Sequence, residues 1–430
     1  MQVLRLPPWI FSLLLIIACK PENKEPIFVE LFNGKDLTGW KASEHDSSWT
    51  VVDGVLQGVG PRAHLFYVGE ELRRDTFKNF ELIAEVKTHK LANSGVYFHS
   101  SFNPDGWPSE GIEVQVNNSH PGAGDFKELK KTGSLYGTRN IYQTFTPDST
   151  WFTLRFIVQG KSVRIWVDSM MTVDYTEPDD MAARGVPVSR LIHQGTFALQ
   201  CHDPLSKVHY RSIRVKRLPD DASSLGIASN FGAWHDSLRV MQSRQYAFID
   251  LNPKTDIGID SMLKYYYQSG INVSLVLGLE EVTAGSHTTA LARAANLPVF
   301  KGLRVNQDNF DSLTPEMTRG FDYVVGESTD LLKAWKLVHS GKLQVWAHTG
   351  PLENFHPLLK LANTHNTAIE INNETKTPSL DMIKEAKIHG LKFTFSNLVP
   401  ASKMEASTYV MDVVKSAGIT YKDLYVPKGE

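Results

Sequence analysis

Three short segments carry side chains whose types and spacing suit acid–base chemistry. They read Val96-Tyr97-Phe98-His99, Glu113-Val114-Gln115-Val116 and Leu199-Gln200-Cys201-His202. Successive side chains of a β-strand point to opposite faces, so each segment would place its polar or amphipathic residues on one face and its apolar residues on the other. We expect the polar faces to line one concave surface that holds a carboxylate, an imidazole, two amides and a phenol.

The surrounding region, residues 27–218, has the pattern of an all-β domain. Many short apolar or alternating runs at roughly regular spacing, with no helical pattern between them, predict a β-sandwich or jelly roll. Turn signals such as Asp53-Gly54 separate the runs. The predicted strands are Trp49–Val55, Phe80–Lys87, Gly95–His99, Gly111–Val116, Trp151–Val158, Ser162–Val167, Gly195–His202 and His209–Leu218.

Seven strings spread over this region resemble the 3-keto-disaccharide hydrolase family. Their order and spacing match across nearly the whole domain. The resemblance implies a concanavalin-like β-sandwich that cleaves 3-keto sugars outside the cytoplasm. The strings are Leu31–Trp40, Trp49–Leu56, Asn93–Phe98, Glu113–Gln115, Lys131–Gly137, the strand that begins at Trp151, and Leu199–Pro204 followed by His209–Val215.

A 3-keto sugar can be cleaved by elimination. Its C3 ketone acidifies the C2 hydrogen, so a base can form an enediolate, the C1 substituent then leaves with the help of an acid, and water adds back. We expect Glu113 and His202 to be the acid–base pair, and Lys131 or Tyr97 to polarise the ketone oxygen. The residues predicted to bind substrate are Asn93, Tyr97, His99, Gln115, Tyr136 and Gln200.

Simpler interpretations stay open for these residues. A strand Glu is often just solvated, a His before Asp-Pro often caps a turn, and Asn-Ser-Gly often forms a turn or bulge. Those interpretations apply to Glu113, His202 and Asn93. Lys131 follows two other lysines in what reads as a basic loop, and Tyr136 is as readily a packing residue.

One position departs from the family pattern. Members often carry Arg where this chain has His99. Arginine is a permanent donor, whereas histidine titrates near neutrality. The usual substrate of the family is therefore in doubt for this chain.

Composition narrows the functional classes. The chain has 430 residues, 42% hydrophobic and 21% charged, which is enough for two or three domains with full cores. A formal net charge of −2 shows no basic excess for nucleic acid. The 9 Trp are compatible with sugar binding, but we assign Trp40 and Trp49 to the core.

The first nineteen residues resemble a bacterial lipoprotein signal. Arg5 precedes the apolar run Trp9–Ala18, which is too short to span a bilayer comfortably. The run ends in Ile-Ile-Ala-Cys, so we expect lipidation of Cys19, a polar tether over residues 20–26, and a place in the cell envelope at the periplasm or outer-membrane surface. A plain secretory signal is the alternative. Cys201 then has no disulfide partner.

The pattern changes in residues 226–430, after a boundary near 218–226. Strand-length runs alternate with helical patterns, which predicts a parallel α/β domain, open or barrel-like. The predicted strands are Tyr246–Leu251, Ile271–Leu277, Phe321–Val325, Leu343–Ala347, Ala368–Ile371 and Lys392–Phe395. The predicted helices are Ile259–Ser269, Leu331–Val338, Pro357–Thr364 and Ser379–His389.

Two stretches of this second domain, Ala368–Ser396 and Asp423–Lys428, resemble a PHP-type metallo-phosphoesterase. Catalytic members carry His-x-His after the first strand and Ser-Asp-x-His after a later one. Here the two places read FIDLNPK from Phe248 and SNLV from Ser396, so the ligands of a multinuclear cluster are missing. We expect a degenerate, non-catalytic scaffold or substrate lid, in which three possible relic ligands are structural: Asp250, His348 and Glu370.

The leading hypothesis is a lipid-anchored glycoside hydrolase or lyase that acts on 3-keto-glycosides. Its partners would be an oligosaccharide or glycoside substrate and, through the anchor, a membrane, with no nucleic acid. We assign no cofactor, and a divalent metal ion is left open. Two alternatives are a non-catalytic carbohydrate-binding lipoprotein and a metal-dependent phosphoesterase that works through the C-terminal domain.

Overall fold

The computed structural model shows an antiparallel sandwich followed by a parallel barrel. It describes residues 27–123, 126–183, 186–225, 249–250, 272–278, 300–306, 308–350, 352–396 and 409–427. The lipoprotein signal with Cys19, the tether over 20–26 and the helix predicted over Ile259–Ser269 lie outside these residues. No helix within the described ranges is long and apolar enough to cross a membrane.

Residues 27–225 contain fifteen described strands, two 3₁₀ turns and one short described α-helix, α1 (Glu70–Arg74). The strands are β1 (Val29–Glu30), β2 (Trp40–Ala42), β3 (Trp49–Val52), β4 (Val55–Val59), β5 (Ala63–Tyr67), β6 (Phe80–Thr88), β7 (Asn93–Ser100), β8 (Ile112–Asn117), β9 (Gly122–Ala123), β10 (Phe126–Lys127), β11 (Phe152–Gln159), β12 (Ser162–Val167), β13 (Met170–Thr176), β14 (Thr196–Cys201) and β15 (Lys207–Arg217).

Two large sheets form the sandwich. One has the order β13-β12-β11-β6-β15-β4-β3, with β1 added on β15, and the other has the order β2-β5-β14-β7-β8. Strand β11 alternates strictly between buried and half-exposed residues, as a strand with one face on a core must. Apolar residues of both sheets meet in one cluster that includes Trp49, Phe156 and Cys201, so the predicted sandwich is confirmed.

The run predicted as one strand over Trp49–Val55 is a hairpin. Asp53 and Gly54 have φ of +50° and +77°, and they join β3 to β4. Two consecutive left-handed residues are the signature of the tight hairpin turn that Asp-Gly favours. The sequence signal at Asp53-Gly54 was therefore correct, and the segment continues beyond it as β4.

The second domain is a closed barrel of seven described strands that pair in parallel. They are β16 (Ile249–Asp250), β17 (Asn272–Gly278), β18 (Phe300–Asn306), β19 (Tyr323–Ser328), β20 (Val345–His348), β21 (Ala368–Asn372) and β22 (Phe393–Ser396). Strand β18 was not predicted. The described helices are α2 (Pro315–Thr318), α3 (Leu331–His339), α4 (His356–Thr364), α5 (Leu380–Ile388) and α6 (Tyr409–Ser416).

Local signals explain the longer helices of the barrel. The side chain of Asp330 accepts a hydrogen bond from the Lys333 amide at the start of α3, and Ser379 caps α5 in the same way through the Met382 amide. Gly390, at φ +78°, follows α5 and allows the chain to leave it in the left-handed region. The predicted parallel α/β class is confirmed.

A segment between β8 and β11 folds back onto the five-stranded sheet. Its described residues, 118–123 and 126–148, make few strands but are largely buried, and their backbone bonds along the edge strand β8, where the Gln115 amide donates to the Ser134 carbonyl oxygen and the Tyr136 amide to that of Glu113. Leu129 and Tyr142 of this segment also pack in the apolar cluster of the barrel. We call residues 118–123 and 126–148 the covering segment.

Candidate active site

Neighbouring strands of the five-stranded sheet bring most of the predicted site residues together. Val96 pairs with Leu199 on one side and with Val114 on the other, and all three lie in the sandwich core. Because side chains alternate along a strand, the residues next to them point the other way, toward the covering segment. Those residues are Gly95, Tyr97, Glu113, Gln115 and Gln200.

The Glu113 carboxylate is held by donors from two other strands. The Tyr97 hydroxyl donates to Oε2 at 2.9 Å, and Gln200 Nε2 donates to Oε1 at 3.2 Å. The same Gln200 amide lies 3.2 Å from the Tyr97 oxygen, which closes a triangle of hydrogen bonds. Glu113 is therefore a positioned carboxylate and not a solvated strand residue.

Gly95 leaves the space that this carboxylate occupies. A Cβ atom at Gly95 would lie 2.2 Å from Glu113 Oε1 and 2.8 Å from its Cδ. Gly95 is also not part of a turn, since Asn93 and Gly95 lie inside β7 and pair with Asn117 and Gln115. The alternative that Asn93 begins a turn or bulge is therefore wrong.

Burial changes the titration of Glu113. It raises the pKa of the carboxyl from 4.5 to about 7; the Tyr97 hydrogen bond opposes this rise, and the negative charge of Glu128 adds to it. A carboxyl with a pKa near neutrality exists in both forms at physiological pH. That is the property which an efficient general base or acid needs.

His202 and Asp203 form a second pair directly after the end of β14. His202 Nδ1 lies 2.7 Å from Asp203 Oδ2. The other carboxylate oxygen accepts from the backbone amides of Leu205 and Ser206 at 2.8 Å and 3.1 Å, so Asp203 caps the turn while it orients the imidazole. This arrangement directs His202 Nε2 away from Asp203, and the turn-capping role belongs to the aspartate.

Two residues near His202 were missed by the sequence analysis. His120 Nε2 lies 3.3 Å from Asp203 Oδ2, and burial lowers the pKa of His120. The Trp107 ring lies 5.2 Å from the His202 ring, centroid to centroid, and the Trp107 side chain is 45% exposed. The sequence does offer a signal for Trp107, because it stands in the polar loop Asn103–Pro108. A Trp at an exposed loop position often serves to bind a ligand or a partner.

The lysine that acts on Glu113 is Lys130. Its buried ammonium lies 3.2 Å from Glu128 Oε1 and 4.2 Å from the centre of the Tyr136 ring, and its charge lowers the pKa of Glu113. Burial lowers the pKa of the neighbouring Lys131, while the negative charges of Glu128 and Asp148 partly oppose this by raising it. Lys131 is thus largely buried in the covering segment and is not a solvated loop residue.

Tyr136 also lies in the wall formed by the covering segment. Its amide donates to the Glu113 carbonyl oxygen at 2.9 Å, and its hydroxyl lies 3.4 Å from Glu128 Oε2. Contact with the backbone of Glu113 places Tyr136 beside the predicted site. The same contacts also make Tyr136 a packing residue. The predicted substrate-binding role and the simpler packing role are therefore both compatible with its position.

The structure does not bring His99 to this site. Ala198 pairs with Tyr97 but Thr196 pairs with Ser100, so Phe98 and His99 lie opposite one residue of β14. His99 has φ +54°, as a bulge residue can. Its buried ring lies 2.9 Å from the Lys78 carbonyl oxygen and stacks on His193, so the expectation that it shares a face with Tyr97 was wrong.

Several buried polar atoms on the site face have no hydrogen-bond partner within the described residues. Gln115 donates to Asn93 Oδ1 at 2.7 Å, but its own carbonyl oxygen accepts nothing, and neither does that of Gln200. His64, opposite Gln200 on β5, has no hydrogen bond within 3.5 Å at either ring nitrogen, although its Nδ1 lies 3.8 Å from Glu44 Oε2. Unpaired buried groups each cost about 1–3 kcal/mol, and a ligand rich in hydroxyls would satisfy them.

The possible relic ligands of the barrel have protein partners. Glu370 accepts from Arg304 at 2.7 Å and from the Ser396 hydroxyl at 2.7 Å, and His348 Nδ1 lies 3.0 Å from the Ser328 hydroxyl. These contacts support a structural role for both. The side chain of Asp250 lies outside what the structure describes, so its structural role stays a prediction.

Comparison with solved structures gives partial matches of low structural similarity. A proposed glycosyl hydrolase from Parabacteroides distasonis is 24% identical, covers 45% of this chain and 94% of its own, and has a TM-score of 0.39. A protein of unknown function with a galectin-like fold from Bacillus subtilis is 10% identical and covers 44% of this chain and 94% of its own, with a TM-score of 0.33.

Sequence comparison assigns the family. Residues 28–216 match the model of the 3-keto-alpha-glucoside-1,2-lyase-like domain. A 3-keto-disaccharide hydrolase from Bacteroides thetaiotaomicron is 34% identical over 229 residues, which cover 44% of this chain and 78% of that protein. The PHP-type and lipoprotein resemblances have no counterpart among these matches and stay predictions. The chain belongs to the 3-keto-disaccharide hydrolase family.

Proposed function

We propose that the chain cleaves 3-keto-glycosides by elimination across C1 and C2, with Glu113 as the base that removes the C2 proton. The observation that carries the proposal is the Glu113 carboxylate, which Tyr97 and Gln200 hold in place and whose pKa burial raises to about 7. The related Bacteroides protein is named for action on a 3-keto-disaccharide. Lipid anchoring at Cys19 in the cell envelope is part of the same proposal.

Glu113 suits proton abstraction next to a ketone. Its base strength exceeds that of an ordinary carboxylate because burial disfavours the charged form, yet with a pKa of about 7 the charged form is still present at neutral pH. The Tyr97 hydroxyl donates to one carboxylate oxygen and the Gln200 amide to the other, so together they fix the orientation of the carboxylate. The proton of C2 moves to Glu113, and the electron pair moves toward the C3 oxygen to form the enediolate.

His202 completes the elimination as the acid. Asp203 fixes its Nδ1 side at 2.7 Å, so the Nε2 side can give a proton to the oxygen that leaves C1. The exposed Trp107 beside His202 marks the open end of the site, where the leaving group would lie. Addition of water to the unsaturated product, with the two groups acting in reverse, gives net hydrolysis.

The unpaired amide oxygens explain recognition of a sugar. Gln115 Oε1 and Gln200 Oε1 are buried acceptors without donors in the described chain, so they can each accept from a substrate hydroxyl. Asn93 orients Gln115 at 2.7 Å. Because these acceptors are neutral, the site favours an uncharged polyhydroxylated ligand over a phosphate or a carboxylate.

The direct test uses 4-nitrophenyl 3-keto-glucoside and its parent 4-nitrophenyl glucoside. Wild-type protein should release nitrophenol from the first and not from the second, because only the ketone acidifies the C2 hydrogen. Saturable binding of either compound without release would contradict the proposal. That outcome would favour the non-catalytic carbohydrate-binding alternative.

Substitution of His202 tests the acid. We expect His202→Ala to lower kcat/KM for an alkyl 3-keto-glucoside by about 100-fold or more, since general acid catalysis contributes that much. The loss should be smaller with the nitrophenyl compound, whose leaving group needs little protonation. His339→Ala, on the exposed end of α3, is the matched control. Equal losses for both leaving groups would exclude the acid role.

Trp107 is predicted to be a binding platform. We expect Trp107→Ala to raise KM about tenfold, the equivalent of about 1.4 kcal/mol, with kcat within twofold of wild type. Trp151→Ala is the control, since Trp151 lies under Lys87 and Arg211 on the other sheet. Steady-state kinetics checks both variants. A fall in kcat at unchanged KM would show that Trp107 orients His202 and does not bind substrate.

A further inference from the structure

A group of three metal-ligating side chains lies on the outer helices of the barrel, away from the site described above. His356 Nδ1 lies 3.2 Å from Glu385 Oε1, and His389 Nε2 lies 3.4 Å from the same oxygen. One ligand atom from each of the three residues lies within 4.8 Å of the other two. No other group of this kind occurs among the described residues.

The two distances from Glu385 Oε1 match edges of a coordination tetrahedron. Zinc binds histidine nitrogen and carboxylate oxygen at about 2.0–2.1 Å, so at tetrahedral angles neighbouring ligand atoms are about 3.3–3.4 Å apart. The two separations from Glu385 Oε1, 3.2 Å and 3.4 Å, fit two edges of that tetrahedron, and the two histidine nitrogens, which lie within 4.8 Å of each other, would have to approach to complete the third. We propose that His356, Glu385 and His389 form a Zn²⁺ site with three protein ligands and a fourth position open to water.

The backbone holds the three ligands in place. Glu385 and His389 are four residues apart, at the last turn and the C-cap of α5, so their side chains lie on one helix face. His356 begins α4, where Pro357 restricts the backbone, and its ring stacks on Phe355 at 4.9 Å. The site would therefore join the start of one barrel helix to the end of the next.

The ligand types select the ion. Two imidazoles and one carboxylate suit zinc and other late first-row metals better than Mg²⁺ or Ca²⁺, which prefer sets made of oxygen ligands. All three residues are within reach of solvent, with side-chain exposures of 59%, 30% and 22%. The ion could thus enter without unfolding the helices. The site is separate from the PHP-type cluster, whose ligand positions this chain lacks.

The test is metal binding by the purified full-length protein, freed of metal with a chelator. Equilibrium dialysis followed by metal analysis should show one Zn²⁺ bound per chain. Binding of that ion should require His356, Glu385 and His389. His356→Ala, His389→Ala and Glu385→Gln should each weaken that binding at least tenfold, whereas His339→Ala should not change it. Co²⁺ loaded at the same site should give the visible absorption of a tetrahedral complex, and each of the three substitutions should remove it.

Two outcomes would overturn the proposal. One is no saturable Zn²⁺ binding by the wild type. The other is binding that all three variants keep, which would place the ion elsewhere, for example at His120 and His202. Glu385→Gln removes the charge but keeps the size of the side chain. Circular dichroism of each variant shows whether it is still folded, so that loss of a metal ligand can be distinguished from loss of the fold. Cleavage of 3-keto-glucosides does not enter this test, so it is independent of the proposed function.

Discussion

Glu113→Gln should abolish turnover of a 3-keto-glucoside while it makes the sandwich domain more stable at alkaline pH. Glutamine keeps the size of the side chain and can still accept from the Tyr97 hydroxyl, but it cannot take up a proton. Loss of a general base lowers rates by about 10²–10⁴-fold, and we expect at least 10³-fold here because the base acts on a carbon acid. Single-turnover and steady-state release of nitrophenol both measure the loss.

The stability change follows from the raised pKa. In the folded protein the pKa of Glu113 is about 7 against 4.5 for the ordinary carboxyl, so between these values the folded state binds more protons. The free energy of unfolding of wild type therefore falls as pH rises through this window, and above pH 7 the full cost of the buried charge remains. Glu113→Gln carries no such charge. Its melting temperature should equal that of wild type near pH 4 and exceed it at pH 8.

The pH dependence of catalysis has the same origin. If Glu113 acts as the base, kcat/KM of the wild type should rise with pH through a limb near 7, because only the charged form abstracts the proton. Glu85→Gln is the matched control, since Glu85 lies on β6 of the other sheet and pairs with Arg211. A variant Glu113→Gln that keeps both the rate and the limb would remove Glu113 from the mechanism.

Strand alternation predicted the centre of the site correctly. Tyr97, Glu113 and Gln200 were placed on one face by counting residues along three strands, and the structure joins them by hydrogen bonds. Alternation of side chains is a local property of a regular strand. The face on which a residue lies can therefore be predicted without knowing which strands are its neighbours. The strands of the sandwich and the capped helices of the barrel were predictable for the same reason.

His99 was misplaced because a bulge is a property of two strands. One extra residue in β7 opposite β14 turns the ring of His99 toward Lys78, and nothing within the segment Val96–His99 signals that insertion. Glu128 and Lys130 were missed for a related reason. They reach Glu113 only because the covering segment folds back over the sheet, which no local pattern predicts.

Strand β18 of the barrel was missed because Lys301, Gly302 and Arg304 interrupt the apolar run in Phe300–Asn306. The glycine is required there, since a Cβ atom would lie 2.3 Å from the Tyr323 hydroxyl oxygen. Arg304, in the same strand, pairs with Glu327 and Glu370 inside the domain. Buried charges look like surface residues in a sequence until their partners are known.

Gly95→Ala should lower activity about 100-fold, less than removal of the carboxylate but far more than an ordinary surface change, although it adds one methyl group 18 residues away in sequence from Glu113. The φ of Gly95 lies outside the left-handed region, so alanine suits the backbone there. The new Cβ would instead lie 2.2 Å from Glu113 Oε1, and the carboxylate must move by about 1 Å or more to reach ordinary contact distance. A displacement of that size costs about 100-fold in rate when the group is catalytic.

The measurement is kcat/KM of Gly95→Ala, Glu113→Gln and the double variant. If the methyl group acts only by displacing the carboxylate, the double variant should be no slower than Glu113→Gln alone, because the two changes remove the same contribution. Val96→Ala is the control. Its side chain points into the core, so it should lose roughly 1–3 kcal/mol of stability and keep its rate at permissive temperature. Additive losses in the double variant would show that Gly95 shapes the site independently of Glu113, whereas full activity of Gly95→Ala would show that this position of the carboxylate is not the catalytic one.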